Sequence, residues 1–286
     1  MEMQHFIHAA TGIIGNNYAD AINEVNERIQ TKLPDETSID KKARAIFDGV
    51  NEFYAEEKGS MLYKAVTQIG EPCWDKTLNL VIVNNLNGIR TTQYQADDLI
   101  LDHTSPAITD PMGTIIRHIE ATNPEGFDHN IYPDKPPKGV VYGLDETLDI
   151  LHCQLANNKK SSNLKGAASI LTGVINKDPS LALPLYMNAK INYDLNDYDA
   201  SIASLERFLE KIPDNPHANL TLGLAYKGKN EIAIIQFTKA KEEADRLLLK
   251  YTPHFDYRFK SIKEQAEEEI KKIEEIFSGL ITLTNF

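Results

Sequence analysis

Asp197-Tyr-Asp-Ala-Ser-Ile-Ala-Ser-Leu-Glu-Arg-Phe-Leu-Glu-Lys-Ile-Pro213-Asp-Asn-Pro216 places apolar Ile202, Leu205, Phe208, Leu209 and Ile212 at helical spacing. Pro213 then ends the helix, because its ring cannot continue the hydrogen-bond ladder. Thirty-four residues upstream of Pro213 stands Pro179, in Asn176-Lys-Asp-Pro-Ser180. Leu171 and Val174 precede Leu205 and Phe208 by the same step, and small Ala167 precedes Ser201. Moving the same distance forward from Ala189 reaches Gly223, in Leu222-Gly-Leu-Ala-Tyr226. A fixed period of this length marks a stack of repeated helix pairs.

These residues resemble tetratricopeptide (TPR) repeats. In that family a small residue lets two helices approach, bulky residues fill the seam and a proline closes the second helix. The resemblance assigns three repeats, at residues 148–181, 182–215 and 216–250. The third has a turn two residues shorter than the family spacing between Tyr226 and Ala233. The first has Leu155 where a small residue is usual and Asn158 in place of an aromatic. Beyond Pro253, apolar Phe259, Ile262, Ala266, Ile270, Ile273 and Phe277 form one stripe opposite Lys263, Glu267, Glu268, Lys271 and Glu274. Residues 251–286 therefore read as a capping helix and tail closing the open end of a solenoid. The stripe is short for the alternative, a coiled-coil dimer.

In the family the first helix of each repeat lines a concave groove. Carried over, those positions are His152 and Lys159, then Tyr186, Lys190 and Tyr193, then His217, Leu224 and Lys227. Three lysines and two tyrosines on one surface suit a protein or peptide partner with acidic character. The Lys-and-Asn pattern of repeats that clamp chaperone C-termini is missing, since His152 and Ala156 occupy two of those positions.

Upstream, Pro124, Pro133, Pro136 and Pro137 crowd together with Gly126, Gly139 and Gly143, so residues 124–147 read as an irregular connection. Charge divides at the same place. Residues 148–286 hold 18 basic and 19 acidic side chains, whereas residues 1–147 hold 12 and 23. Residues 1–123 thus form a separate α+β domain in a chain that is mainly helical overall. Within it, residues 39–54 make an amphipathic helix, with Ala43, Ile46, Phe47, Val50, Phe53 and Tyr54 on one side and Ser38 positioned as its cap. Gly70 and Pro72 break the backbone before Cys73, and Leu78, Val81, Ile82 and Leu86 continue as a second helix. A thiol near a helix N-terminus is stabilised as thiolate, the nucleophilic form.

Lys42-Ala-Arg-Ala-Ile-Phe-Asp-Gly-Val50, Gly70-Glu-Pro-Cys-Trp-Asp-Lys-Thr-Leu78 and Asn87-Gly-Ile89 resemble bacterial transglutaminase-like domains, relatives of papain-type proteases, with one extra residue between Gly70 and Cys73. The resemblance implies a triad: Cys73 as nucleophile, His103 as base and Asp110 to orient it, with Gln68 in the oxyanion-hole position. His118 and His129 are alternative bases, and only seven residues separate His103 from Asp110. A plain core role for Cys73 beside Trp74 is the competing reading.

Net charge is −12, with 30 basic and 42 acidic residues, which argues against nucleic-acid binding. Two cysteines make no disulfide framework, and no apolar run is long enough to span a membrane. The mildly apolar stretch from Phe6 to Ile14 lacks a preceding Lys or Arg, so it is not read as a secretory signal. The histidines and aspartates lack the spacing of a metal site, and Gly12-Ile-Ile-Gly15 is no phosphate loop, so no metal or cofactor is expected. The expectation is a cytoplasmic protein that binds a partner through its repeats. The alternative is a Cys73-dependent hydrolase or acyltransferase on protein amides, with the repeats recruiting substrate.

Overall fold

A computed structural model describes residues 2–33, 38–67, 72–96, 104–112, 114–119, 121, 127, 139–158, 163–226, 228–250 and 256–284. The chain is mainly helical with one small antiparallel sheet, and it separates into two units, residues 1–97 with 101–170, and residues 171–286.

The first unit begins with α1 (Met3–Ile14), α2 (Tyr18–Gln30), α3 (Ile39–Glu56), α4 (Met61–Val66) and α5 (Pro72–Leu86). α1 runs through Gly12 and stops at Gly15, whose φ of +148° suits a residue without Cβ. Ser38 precedes α3 in extended conformation, but its hydroxyl makes no cap bond, so the expected cap is absent. α5 is the central element. It packs against α1, α2 and α3 and against strands β1 (Thr91–Ala96) and β2 (Thr104–Thr109). Every residue from Trp74 to Asn84 except Lys76 is buried. A helix enclosed on all sides needs no amphipathic pattern, which is why its sequence shows none.

β3 (Ile115–His118) and β4 (Gly139–Tyr142) complete a four-stranded sheet in the order β3-β2-β1-β4. All pairs are antiparallel, with Thr91 opposite Ile108 and Gln93 opposite Tyr142. Arg117 on β3 donates through Nε and Nη2 to the two carboxylate oxygens of Asp40, both at 2.9 Å, tying the sheet to α3. The buried Phe127 ring stacks near Phe47 at 5.9 Å, and the guanidinium groups of Arg44 and Arg117 lie 5.3 and 4.7 Å from its centroid.

α6 (Leu144–Asn158) packs on α1, and the division between the units falls inside α7 (Leu164–Lys177). The sequence expectation drew that line at 124–147. Its first repeat is therefore shared: α6 buries Ile150, Leu151 and Cys153 within the N-terminal unit.

The second unit continues with α8 (Ala182–Asp194), α9 (Tyr198–Lys211), α10 (Pro216–Ala225), α11 (Asn230–Lys250) and α12 (Asp256–Thr284). Each turn has a local cause. After α8, Asn196 takes φ +61°, and the amides of Asn196 and Asp197 donate to the carbonyls of Tyr193 and Asn192, a Schellman closure. Asp197 then caps α9 by accepting from the Ala200 amide, and Asn215 caps α10 by accepting from the Ala218 amide, with Pro216 in the first turn. The shortened turn between α10 and α11 is closed by Gly228 at φ +81°.

Consecutive helices pack as pairs, α8 with α9 and α10 with α11. Ala189 and Ser201, both fully buried, line the first seam. In the second, a methyl group at Gly223 would lie 2.5 Å from Cε1 of Phe237. α12 runs antiparallel along α11, since Lys263 reaches Asp245 at 2.7 Å and Lys241 reaches Glu267 at 3.1 Å. Phe259, Ile262, Ala266 and Ile273 of the expected stripe are buried, whereas Phe277 is 39% exposed.

Candidate functional site

α8 is buried on nearly its whole circumference: ten of its thirteen residues are inaccessible, and only Lys190, Tyr193 and Asp194 reach solvent. On α10, seven of ten residues are buried. The remaining three, His217, Thr221 and Leu224, are half-exposed and stand at i, i+4 and i+7, one line along the helix. Two adjacent helices thus keep a narrow accessible stripe each on otherwise enclosed surfaces. Together the two stripes hold a cation, a carboxylate, a phenol, an imidazole, a hydroxyl and one large apolar side chain.

Tyr193 stacks edge-on against Tyr198 at 5.6 Å. Its phenol is held above the ordinary tyrosine value, first by burial and then by the neighbouring Tyr198, Asp194 and Glu269. Lys190 places its Nζ 5.6 Å above the ring of Tyr186. The Thr221 hydroxyl donates to the His217 carbonyl at 2.8 Å.

The residues expected to line the groove separate under this geometry. Lys190, Tyr193, His217 and Leu224 stand on the accessible stripes. Tyr186 does not: it is 3% exposed, with its ring 5.6 Å from that of Phe208, because the seam between α8 and α9 takes the aromatic ring inward. Lys159 and Lys227 lie outside the described residues, and His152 belongs to α6 in the other unit. Thr221 was not anticipated, although its place one turn after His217 on the same face could have found it.

In the N-terminal unit, Cys73 is the second residue of α5. Its side chain lies outside the described residues, as do Gln68, His103 and His129. Asp110 follows β2 directly, and its Oδ1 accepts from the amides of Met112 at 2.9 Å and Thr114 at 2.8 Å. It closes the turn into β3. Thr104 stands at the other end of that strand, about 20 Å away at roughly 3.3 Å per residue. Asp110→Ala should cost about 1 kcal/mol through loss of these turn bonds, read as a lower urea midpoint with an unchanged slope. His118 lies on β3, with Nδ1 3.4 Å from the Ser105 hydroxyl and its ring 4.2 Å from that of Tyr94.

Cys153, fully buried on α6, donates its thiol to the Ala167 carbonyl at 3.5 Å. Burial, reinforced by Asp149, pushes the thiol up to about 12. The unfolded chain releases this proton near pH 8.5 and the folded chain retains it, so folded stability falls as pH rises between those values. The slope is about 1.4 kcal/mol per pH unit. Between pH 8.5 and 10 the parent protein should lose stability more steeply than Cys153→Ala, as measured by urea denaturation at each pH.

Among the described residues, no group of three His, Cys, Asp or Glu side chains is placed to hold a metal ion. No helix among them is long and apolar enough to cross a membrane.

No family model matches this chain, and no curated protein does. Several solved structures are similar over part of it, two of them as follows. One, titled as the crystal structure of MamA protein, is 20% identical and covers 45% of this chain and 70% of its own, with a TM-score of 0.33. The other, titled MamA MSR-1 C2, is 17% identical and covers 48% and 81% respectively, with a TM-score of 0.32. At that similarity neither assigns a fold or a function to this chain.

Proposed function

We propose that residues 171–286 form a TPR-type module that binds a protein partner, holding a peptide segment of it across α8 and α10. The observation that supports this reading is the confinement of exposure on each helix to one stripe, Lys190, Tyr193 and Asp194 on α8 and His217, Thr221 and Leu224 on α10. Burying these stripes removes apolar area from water at Leu224 and Tyr193, and Lys190 supplies a charge for orientation. Phage-displayed peptides selected on the full chain should lose at least tenfold in affinity on Lys190→Glu or Leu224→Asp. A selection that enriches nothing, or peptides indifferent to both substitutions, overturns the reading.

A second reading, a Cys73-dependent hydrolase or acyltransferase of transglutaminase-like type, is favoured by one feature. Cys73 opens the enclosed helix α5, which lies against β1 and β2. In a Cys153→Ser background, alkylation of Cys73 that stays fast well below pH 7 supports it. Alkylation that begins only near the ordinary thiol value of about 8.5 removes it.

A further inference from the structure

A cavity of about 200 Å³ opens between the turn that joins α1 to α2 and the helix α4, all within the N-terminal unit. α4 packs on α2, but the space beside Gly15 is unfilled: an added methyl group there would meet nothing within 4 Å. At the liquid volume of water the cavity has room for about six molecules, the size of a small organic acid and not of a peptide. Ile14, Ala65 and Met61 form its apolar part; Ile14 is 8% exposed, whereas Met61 is 73% exposed. Tyr18 also lines it, but its hydroxyl donates to Asn79 in the core, so the ring offers carbon. Asn16, Asn17 and Lys64 form the polar part, and all three are exposed. Asn17 does not use its side chain to cap α2. Lys64 carries the one charge among the lining residues, and Asp20, in the first turn of α2, is exposed and outside the lining.

We infer that this cavity binds a short aliphatic carboxylate. The carboxylate meets the Lys64 ammonium and the carboxamides of Asn16 and Asn17, and the chain lies on Ile14, Met61 and Ala65. An ammonium has donors only, and a carboxamide adds two more N–H groups, so the polar part calls for a ligand rich in acceptors. A carboxylate supplies about four acceptor sites, and its bond to a cation is stronger than one between neutral groups. The apolar part calls for a hydrocarbon, because covering Ile14 and Met61 removes their area from water. An amine would meet like charge at Lys64, and a bare anion such as phosphate would leave the apolar part uncovered. This site is independent of the peptide surface on α8 and α10.

The full chain is titrated with hexanoate, acetate, hexanol, hexylamine and inorganic phosphate while its backbone amide signals are followed by NMR. Hexanoate should bind with a Kd of about 1 mM or below and move the signals of residues 14–18 and 61–65. Acetate should bind at least about tenfold more weakly, since it lacks the methylene groups that the apolar part would bury. Hexanol should bind at least about fivefold more weakly, since it lacks the charge. Lys64→Gln should bring hexanoate to the level of hexanol. Ala65→Trp, which fills the cavity, should abolish both. Met61→Ala, at an exposed position where folding is not at stake, should weaken hexanoate about threefold. Lys58→Gln, an exposed lysine outside the lining, should change nothing. The proposal is overturned if hexanoate moves no signal by about 20 mM, or moves signals elsewhere on the chain. It is equally overturned if hexylamine or phosphate binds as tightly as hexanoate, or if Lys64→Gln leaves hexanoate binding unchanged.

Discussion

Gly223→Ala is expected to destabilise residues 171–286 by about 3 kcal/mol, far more than one added methyl group suggests. The added carbon would sit 2.5 Å from Cε1, 2.6 Å from Cδ1 and 3.0 Å from Cζ of Phe237. That ring is 2% exposed and fills the seam between α10 and α11, so it has no open space to enter. The helices must separate or the ring must leave its rotamer. Phe237→Leu shortens the side chain at this contact, and in the double variant the two costs should fail to add by at least 1 kcal/mol. Urea denaturation of the four proteins measures that coupling. Gly173→Ala provides the contrast. Nothing lies within 4 Å of a Cβ there, and α7 should gain roughly 0.5–1 kcal/mol from the better helix former. Equal effects at the two glycines would mean that Gly223 is not where the helices touch.

Asn79→Ala should cost the N-terminal unit about 3 kcal/mol. Asn79 is buried on α5 between two tyrosines that the core also encloses. The Tyr18 hydroxyl donates to its Oδ1 at 3.5 Å, and its Nδ2 donates to the Tyr54 hydroxyl, which in turn donates to the Val66 carbonyl at 3.5 Å. Removing the amide leaves the Tyr18 hydroxyl unmatched in an apolar surround and opens a cavity as well. Both phenols already resist ionisation, first through burial and then through nearby Asp75, so neither can recover the loss by changing charge state at neutral pH. Asn79→Asp sharpens the test. The same burial and the same Asp75 would raise the new carboxyl above its unfolded value of about 3.9. A group raised in this way destabilises the fold as pH rises past the unfolded value, so the variant should be more stable at pH 4.5 than at pH 8 relative to the parent. Thermal melts at the two pH values decide it, and an unchanged difference would show that Asn79 lies outside the core.

How far the sequence could be read depended on whether its signals were local. The end of α9 was visible because Pro213 acts within a few residues of itself. The small residues at Ala189 and Gly223 were visible because close helix approach admits little else. β1 to β4 left no comparable mark. Their register is set by pairings between distant stretches of chain, such as Gln93 of β1 opposite Tyr142 of β4. α1 and α2 were also missed, since a glycine at position 12 inside α1 reads as an interruption although the helix continues through it.

The candidate surface shows the same limit. Carrying positions over from a repeat pattern named Lys190, Tyr193, His217 and Leu224, but it also named Tyr186 and passed over Thr221. Periodicity states which residues share a line along a helix; it does not state which line a neighbouring helix covers.

The 34-residue period and the places where two helices meet followed from the chain itself, because proline geometry and side-chain size act over a turn or two. Which flank of α8 stays wet did not follow, because that helix is apolar nearly all round and offers no pattern to choose by. Packing made the choice: α9 took the Tyr186 ring inward, against Phe208. Burial is a property of two surfaces, and only the folded chain brings both together.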